Sequence, residues 1–220
     1  MSTMSLTLVG LSRITSLETC TAMAEVRVAA TPLTLHGSTP HFLTTVREGR
    51  GLRAHSRQEL TVGGPLDQLD LADMRQLAYQ AYSYRWAIWN SVVAGTRPAL
   101  PWWTFLQRHD SAPDRYPLAR AQQDYLAQQQ ILLMTAYNAL PHRALDLPTS
   151  HLEALQLGAQ GYAHFGWLSA VPGDRMLCPD GTYLEGDDGR LSARLAYLSE
   201  ANARIDALTE QHSLVALLTD

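Results

Sequence analysis

Four arginines and a histidine fall within a short stretch of the N-terminal third of the chain. Residues 41–46 and 52–62 are typical of a hairpin that turns at Glu48–Gly49–Arg50–Gly51, because glycines supply the positive φ of a tight turn. If residues 52–62 form a strand, Arg53, His55 and Arg57 share one face. A two-stranded ribbon with a basic face can follow a phosphate backbone or enter a major groove. The stretch therefore predicts contact with DNA or RNA through these side chains: Arg47, Arg50, Arg53, His55 and Arg57.

The same charges have a second interpretation that needs no ligand. Natural sheets keep their edge strands soluble with charged side chains. Glu48 and Glu59 lie in or beside the hairpin and offer the arginines local ion-pair partners. The alternative is therefore a solvated, salt-bridged edge hairpin.

Adjacent tryptophans after Pro101 form a second candidate contact. Neighbours in sequence cannot both face one core, and tryptophan is enriched at the energetic centres of protein interfaces. Trp102 and Trp103 are therefore predicted to anchor a protein partner, whereas Trp86 and Trp89, at helical spacing, are predicted to be core residues.

The C-terminal stretch supplies a third candidate. A helix is predicted over residues 191–218, in which Leu191, Leu195, Leu198 and Asn202 follow the 4-3 spacing of a helix–helix seam. A polar residue in such a seam fixes register and partner number in coiled coils. Asn202 is therefore predicted to contact another chain, with a helix packed on its own domain as the alternative.

Signatures of known chemistry are incomplete or missing. His151-x-Glu153 followed by Cys178 resembles part of the zinc deaminase pattern, but the second cysteine is missing and the Pro-Cys order is reversed. The sequence has no phosphate-binding glycine motif, nucleophile elbow or zincin signature. We therefore predict no catalytic residue, no metal site and no cofactor, although a pairing of Cys178 with a histidine depends on the fold.

Composition narrows the class of protein further. All 17 basic residues are arginine, a bias typical of a GC-rich bacterium or phage. Residues 1–64 carry six Arg and four Glu (+2), and residues 65–220 carry eleven Arg and seventeen acids (−6). Two distant cysteines, no signal-peptide pattern and no long apolar run predict a soluble cytoplasmic protein without a membrane segment.

The predicted fold is α+β, with a β-rich domain over residues 1–64 and a mainly helical, bundle-like domain over residues 65–220. Strands are predicted at 5–14 and 25–35, and Gly63–Gly64–Pro65 ends the β pattern. Helices are predicted from Asp70, as N-cap, to about residue 94, from 117 to 140, and from the capping box at Ser150. A small hairpin is predicted at 176–185. The buried stripe predicted for the 117–140 helix comprises Leu118, Tyr125, Leu126, Leu132, Leu133, Ala136, Tyr137 and Leu140, opposite a glutamine-rich face.

Three functions remain open from the sequence. The first is a non-enzymatic assembly or regulatory protein that contacts nucleic acid through the arginine hairpin and a protein partner, or a second copy of itself, through the helical domain. The second is a purely protein-binding adaptor, inhibitor or subunit of a larger assembly. An enzyme of unrecognised type is the third.

Overall fold

The computed structural model describes residues 4–45, 59–186 and 189–220, and it confirms the predicted α+β class. The described strands are β1 (Ser5–Ser12), β2 (Leu35–Ser38), β3 (Phe42–Leu43), β4 (Leu60–Thr61), β5 (Gly63–Pro65), β6 (Arg175–Leu177), β7 (Tyr183–Glu185) and β8 (His212–Thr219). The described α-helices are α1 (Leu17–Ala29), α2 (Leu71–Val92), α3 (Trp102–Ser111), α4 (Leu118–Leu126), α5 (Gln129–Asn138), α6 (Leu152–Leu155), α7 (Gly158–Ser169) and α8 (Leu191–Asp206).

The two ends of the chain meet at the centre of the larger sheet. Strands β1 and β8 pair antiparallel over their whole length, from Ser5 opposite Thr219 to Ser12 opposite His212. On its other side β1 pairs with β6 in parallel, and β7 continues the sheet antiparallel to β6. Strands β2 and β5 both pair with β8. The sheet therefore depends on contacts between residues about as distant in sequence as the chain allows.

Helix α1 covers one face of this sheet, so the strand predicted over residues 25–35 is wrong for residues 25–29. Cys20, Ala24 and Val28 are fully buried against the sheet residues Val9 and Val215. Their spacing of four places them on one helical face, and their small size lets the helix approach the sheet closely. Ser16 caps the helix by accepting the backbone N–H of Thr19 at 3.4 Å. Burial of this stripe outweighs the strand preference of the valines.

The helix predicted over residues 191–218 is also corrected. Helix α8 ends at Asp206, and residues 212–219 form the central strand β8. Five consecutive residues of β8, from Ser213 to Leu217, are buried. A strand covered on both faces has no polar alternation, and its sequence cannot be distinguished from a buried helix by period alone.

Helix α2 and the β6–β7 hairpin follow the prediction. Asp70 caps α2 by accepting the backbone N–H of Asp73 at 3.0 Å, and Gly95 has the positive φ of a helix C-cap. The hairpin turns at Pro179–Asp180–Gly181, where Gly181 also has positive φ. Among the described helices, none combines the length and hydrophobicity needed to cross a bilayer.

The single helix predicted over 117–140 is two helices, separated at Ala127 and Gln128. Gln128 has an extended backbone and uses its side chain amide to pair with the backbone of Leu100. It accepts the Leu100 N–H at 2.6 Å and donates to the Leu100 carbonyl at 3.0 Å. These two hydrogen bonds stabilise the interruption between α4 and α5. The capping box at Ser150 is likewise absent, because residues 149–151 form a 3-10 turn whose end has no side-chain cap.

The chain groups into two compact units. The first comprises Met1–Ala78, Trp167–Asp188 and Ser192–Asp220, and the second comprises Tyr79–Gly166 and Gly189–Leu191. The domain boundary predicted between residues 64 and 65 lies inside the first unit, where β5 pairs with β8. We refer below to the second as the helical unit.

Candidate functional site

The arginine-bearing stretch itself lies outside the described residues, but both of its flanks are described. Strands β3 and β4 pair antiparallel, with Phe42 opposite Thr61, and the Thr44 N–H donates to the Glu59 carbonyl at 3.0 Å. The outer ends of the predicted hairpin are therefore paired, and its predicted turn at residues 48–51 lies outside the described residues. Contact with DNA or RNA stays a prediction for the residues outside the described part: Arg47, Arg50, Arg53, His55 and Arg57.

Trp102 and Trp103 begin α3 and have different surroundings. The Trp102 ring meets the Tyr125 ring edge-on, with centroids 5.5 Å apart. Trp103 is the more exposed of the two and is hydrogen-bonded to the Glu153 carboxylate. Burial raises the pKa of Glu153, and this hydrogen bond opposes the rise. Contact of the two tryptophans with a partner stays a prediction. Trp103 exposes more surface to such a partner than Trp102 does.

Asn202 is buried within its own unit. Its side chain amide donates to the backbone carbonyls of Leu168 and Leu198, at 2.9 and 2.8 Å, and its oxygen accepts from Arg75 at 2.8 Å. Because the amide uses its donors and its acceptor inside the chain, these contacts fit the alternative of a helix packed on its own domain. A seam with another chain at Asn202 stays a prediction.

Four of the leucines that the sequence predicted to be buried, on α4, on α5 and just after α5, are exposed. The exposed fractions are 42% for Leu118, 56% for Leu126, 55% for Leu132 and 51% for Leu140. The prediction of a buried stripe is therefore wrong at all four positions. Leu118 and Leu126 lie on α4, Leu132 lies on α5 and Leu140 follows α5. Exposed apolar surface, where it is contiguous, is a feature of sites that bind other proteins. We call these four residues the leucine face.

Other residues of α4 and α5 take the buried positions instead. Ala121, Ile131 and Met134 lie in the core, together with Gln130, which the sequence placed on the exposed glutamine face. Gln130 donates to the Thr96 hydroxyl at 3.2 Å. The break at Gln128 interrupts the helical period between α4 and α5, so one continuous stripe cannot be buried across both helices.

The leucine face carries no charge along most of its length. Residues 125–141 contain no Asp, Glu, Arg or His. The nearest charged residues on either side neutralise each other locally, as Arg120 pairs with Asp124 at 2.9 Å and Arg143 pairs with Asp146. A surface without net charge has neither electrostatic attraction to nucleic acid nor repulsion from a copy of itself.

An aromatic cluster fills the interior of the helical unit. The rings of Tyr82 and Tyr162 have centroids 4.9 Å apart, and Tyr162 shares a 3.0 Å hydrogen bond between its hydroxyl and His151 Nδ1. Burial raises the pKa of Tyr162 to about 12, and hydrogen bonding to Arg85 opposes the rise. Because Tyr162 is fully buried, its hydrogen bonds stabilise the packing of the helices around it.

The described thiols are not activated nucleophiles. Cys178 is buried, and burial raises the pKa of its thiol, with Asp180 contributing in the same direction. Burial also raises the pKa of the Cys20 thiol. Within the described ranges, no group of three or more His, Cys, Asp or Glu residues is arranged to hold a metal ion.

Comparison of the chain with protein-family models, with characterised proteins and with solved structures gives no match. The leucine face is therefore characterised by its own chemistry: its side chains are apolar and exposed, and residues 125–141 along it carry no charge.

Proposed function

We propose that this chain is a non-enzymatic assembly protein whose helical unit binds a protein partner through the leucine face. The observation that carries the proposal is the exposure of Leu118, Leu126, Leu132 and Leu140 on an uncharged surface. Full burial of a leucine side chain contributes about 1.5–3 kcal/mol. Each of these leucines is about half exposed, so covering all four would contribute several kcal/mol toward association, before the costs of ordering.

A second copy of the chain is the partner that this surface favours. Closed homo-oligomers bury the same patch of both subunits, so the patch has to be compatible with itself. An uncharged apolar face meets that condition, because it places no like charges against each other. A partner of different sequence would need a matching uncharged face.

The test is the mass of the full chain in solution over a range of concentrations, measured by light scattering and sedimentation velocity. We expect the wild type to associate and the double variant Leu126→Glu, Leu132→Glu to remain monomeric, because each glutamate would have to be desolvated in the contact. The matched control is Leu77→Glu, which changes an equally exposed leucine outside the leucine face and should associate like the wild type.

Two results would contradict the proposal in distinguishable ways. A wild type that is monomeric at high micromolar concentration would exclude self-association. An oligomeric wild type whose mass is unchanged in the double variant would exclude the leucine face as its contact.

The arginine stretch supports a second role, which is contact with nucleic acid. The supporting observation is its charge: four arginines and a histidine lie within eleven positions of the positively charged third, between the paired strands β3 and β4. Phosphate contacts by arginine release counterions, so the affinity should fall linearly with the logarithm of salt concentration.

Fluorescence anisotropy with mixed-sequence DNA and RNA at several salt concentrations tests this role. Arg53→Gln with Arg57→Gln should weaken binding to all sequences and reduce the salt slope by about one for each phosphate that is no longer neutralised. Arg120→Gln removes an exposed arginine from the acidic part of the chain and should leave the slope unchanged. If the wild type does not bind DNA or RNA at low salt, the nucleic-acid role is excluded and the purely protein-binding role remains.

A further inference from the structure

A cleft lies in the first unit at the carboxyl ends of β1 and β6, which are parallel neighbours in the sheet. Its volume is about 360 Å³, which lies in the range of small-molecule sites. In open α/β sheets, ligands bind in the crevice outside the carboxyl ends of the strands, and this cleft has the corresponding position at the parallel pair of β1 and β6. Helix α1 forms one side of the cleft and the β6–β7 turn forms the other. The lining residues are Leu11, Ser12, Ile14, Met23, Arg27, Pro179, Asp180 and Gly181.

Arg27 supplies a positive charge that the fold orients but does not neutralise. Its guanidinium donates from Nη1 to the Gly10 carbonyl and from Nη2 to the Cys178 carbonyl, the latter at 2.7 Å. Both acceptors are backbone atoms at the ends of β1 and β6, and among the described residues no carboxylate forms an ion pair with Arg27. A guanidinium has five N–H donors in a rigid plane, so donors remain for a carboxylate ligand.

Asp180 places a negative charge in the same cleft. Its carboxylate accepts the backbone N–H of Thr182 at 2.9 Å, and this bond lowers the pKa of Asp180 and keeps it ionised. Arg204, which does not line the cleft, forms an ion pair with Asp180, with 3.5 Å between Arg204 Nη1 and Asp180 Oδ2. A fixed acid beside Arg27 disfavours ligands with several negative charges, such as phosphates, and favours a ligand that also carries a positive group.

The remaining walls are apolar and fit a hydrocarbon side chain. Leu11 and Ile14 come from the end of β1 and the turn after it, Met23 from α1, and Pro179 from the turn after β6. Pro179 lies against Gly10 so closely that a Cβ at residue 10 would come within 2.7 Å of the proline ring. Met23 is 45% exposed, which leaves apolar surface for a ligand to cover.

We propose that this cleft binds an apolar α-amino acid, with its carboxylate on Arg27, its ammonium group toward Asp180 and its side chain against Leu11, Ile14, Met23 and Pro179. The carboxyl-terminal residue of a peptide offers the same carboxylate and apolar side chain but lacks the ammonium group. The site is built from residues of the first unit alone and does not depend on the function proposed above.

The test follows the Met23 methyl group by NMR in the full chain labelled at methionine methyls, with the resonance assigned through Met23→Leu. Met23 is the methionine in the cleft lining, so its methyl group reports binding there. We expect L-leucine to shift this resonance in a saturable manner and leucinamide, which lacks the carboxylate, to leave it in place. N-acetyl-leucine, which lacks the ammonium group, distinguishes a free amino acid from the carboxyl-terminal residue of a peptide. If it binds at least tenfold more weakly than L-leucine, the ligand is a free amino acid. If it binds equally well, the contact of the ammonium group with Asp180 is overturned in favour of a peptide carboxyl terminus.

Two variants test the charged groups. Arg27→Gln should weaken L-leucine binding by about tenfold or more, because it removes a charge-assisted hydrogen bond. Asp180→Asn changes an exposed side chain, leaves the fold intact, and should weaken L-leucine but not N-acetyl-leucine. Arg13→Gln, which removes an arginine outside the lining, should bind like the wild type, and the resonance of the buried Met176 checks folding in each variant.

Three results would overturn the proposal. The first is an unshifted Met23 methyl group at millimolar L-leucine, and the second is equal binding of leucinamide. The third is unchanged affinity in a folded Arg27→Gln. If Arg27→Gln does not fold, the comparison of leucine with leucinamide on the wild type decides the proposal alone.

Discussion

Arg75 and Asn202 are joined by a hydrogen bond of 2.8 Å between Arg75 Nη2 and Asn202 Oδ1, across 127 positions of sequence. The same Nη2 donates to Asp206 at 2.8 Å. Arg75 is largely buried, and its Nε has no hydrogen-bond partner. The bond to Asn202 therefore connects the start of α2 to α8 through a guanidinium that has few other acceptors.

Replacing Asn202 with leucine should destabilise the chain by about 1–3 kcal/mol, because it removes the buried hydrogen bonds of the amide to Arg75, Leu168 and Leu198. Urea unfolding measures the decrease in the free energy of unfolding. Asn90→Leu, at an exposed position of α2, is the control and should change stability by less than about 0.5 kcal/mol. A change in oligomeric mass without a decrease in stability would instead support a seam with another chain.

Gly166→Ala should destabilise the helical unit, because a Cβ at residue 166 would lie 2.3 Å from the ring of Tyr82. Overpacking of this kind costs about 1–3 kcal/mol. Thermal or urea unfolding gives the value. The double variant with Tyr82→Ala, which removes Cγ and the ring, should recover part of this stability. Strict additivity of the two single changes would show that the close approach is not the cause of the destabilisation.

Tyr162 should make stability fall at alkaline pH. Burial raises the pKa of Tyr162 to about 12 from its ordinary value of 10.0. The folded state therefore holds the phenol proton more tightly, so its contribution is complete below pH 10 and is lost as the pH rises toward about 12. Unfolding curves across this window should show the decline, with a smaller decline in Tyr162→Phe. Tyr84→Phe, at an exposed tyrosine, should decline like the wild type.

His41 should contribute a loss of stability at acid pH. Burial lowers the pKa of His41 below its usual 6.5, against the opposing effects of the Val171 carbonyl and Asp174. Its Nε2 lies 3.0 Å from that carbonyl, so the neutral ring donates from Nε2. A lowered pKa means that the unfolded chain takes up the proton first. The contribution is therefore present above pH 6.5 and is lost as the pH falls below it.

The measurement is the free energy of unfolding from about pH 7 to pH 5 for the wild type and His41→Gln. The variant should lose less stability over this range than the wild type. His142→Gln removes an exposed histidine and serves as the control. Equal slopes for the wild type and His41→Gln would refute the assignment to His41.

The sequence by itself determined the elements whose signals are local. Helix α2 begins at the predicted cap, where Asp70 accepts the Asp73 N–H, and its end is followed by Gly95 in the left-handed conformation. The β6–β7 hairpin turns at Pro179–Asp180–Gly181 for the same reason. Caps and turns are fixed by residues a few positions apart, so a single sequence is sufficient to find them. The α+β class follows from these elements.

Only the tertiary structure decided which apolar segments are buried, and in what form. Residues 214–217 are apolar without alternation, and they form a strand because β1 pairs with them on one side and β2 and β5 on the other. The helix predicted over residues 117–140 is interrupted at Gln128, whose side chain binds the backbone of Leu100, 28 positions away, and four leucines of its predicted buried stripe are exposed. The cleft at Arg27 likewise needs Gly10 and Cys178 as neighbours. These outcomes depend on contacts between distant residues, which the hydrophobic period of one segment does not contain.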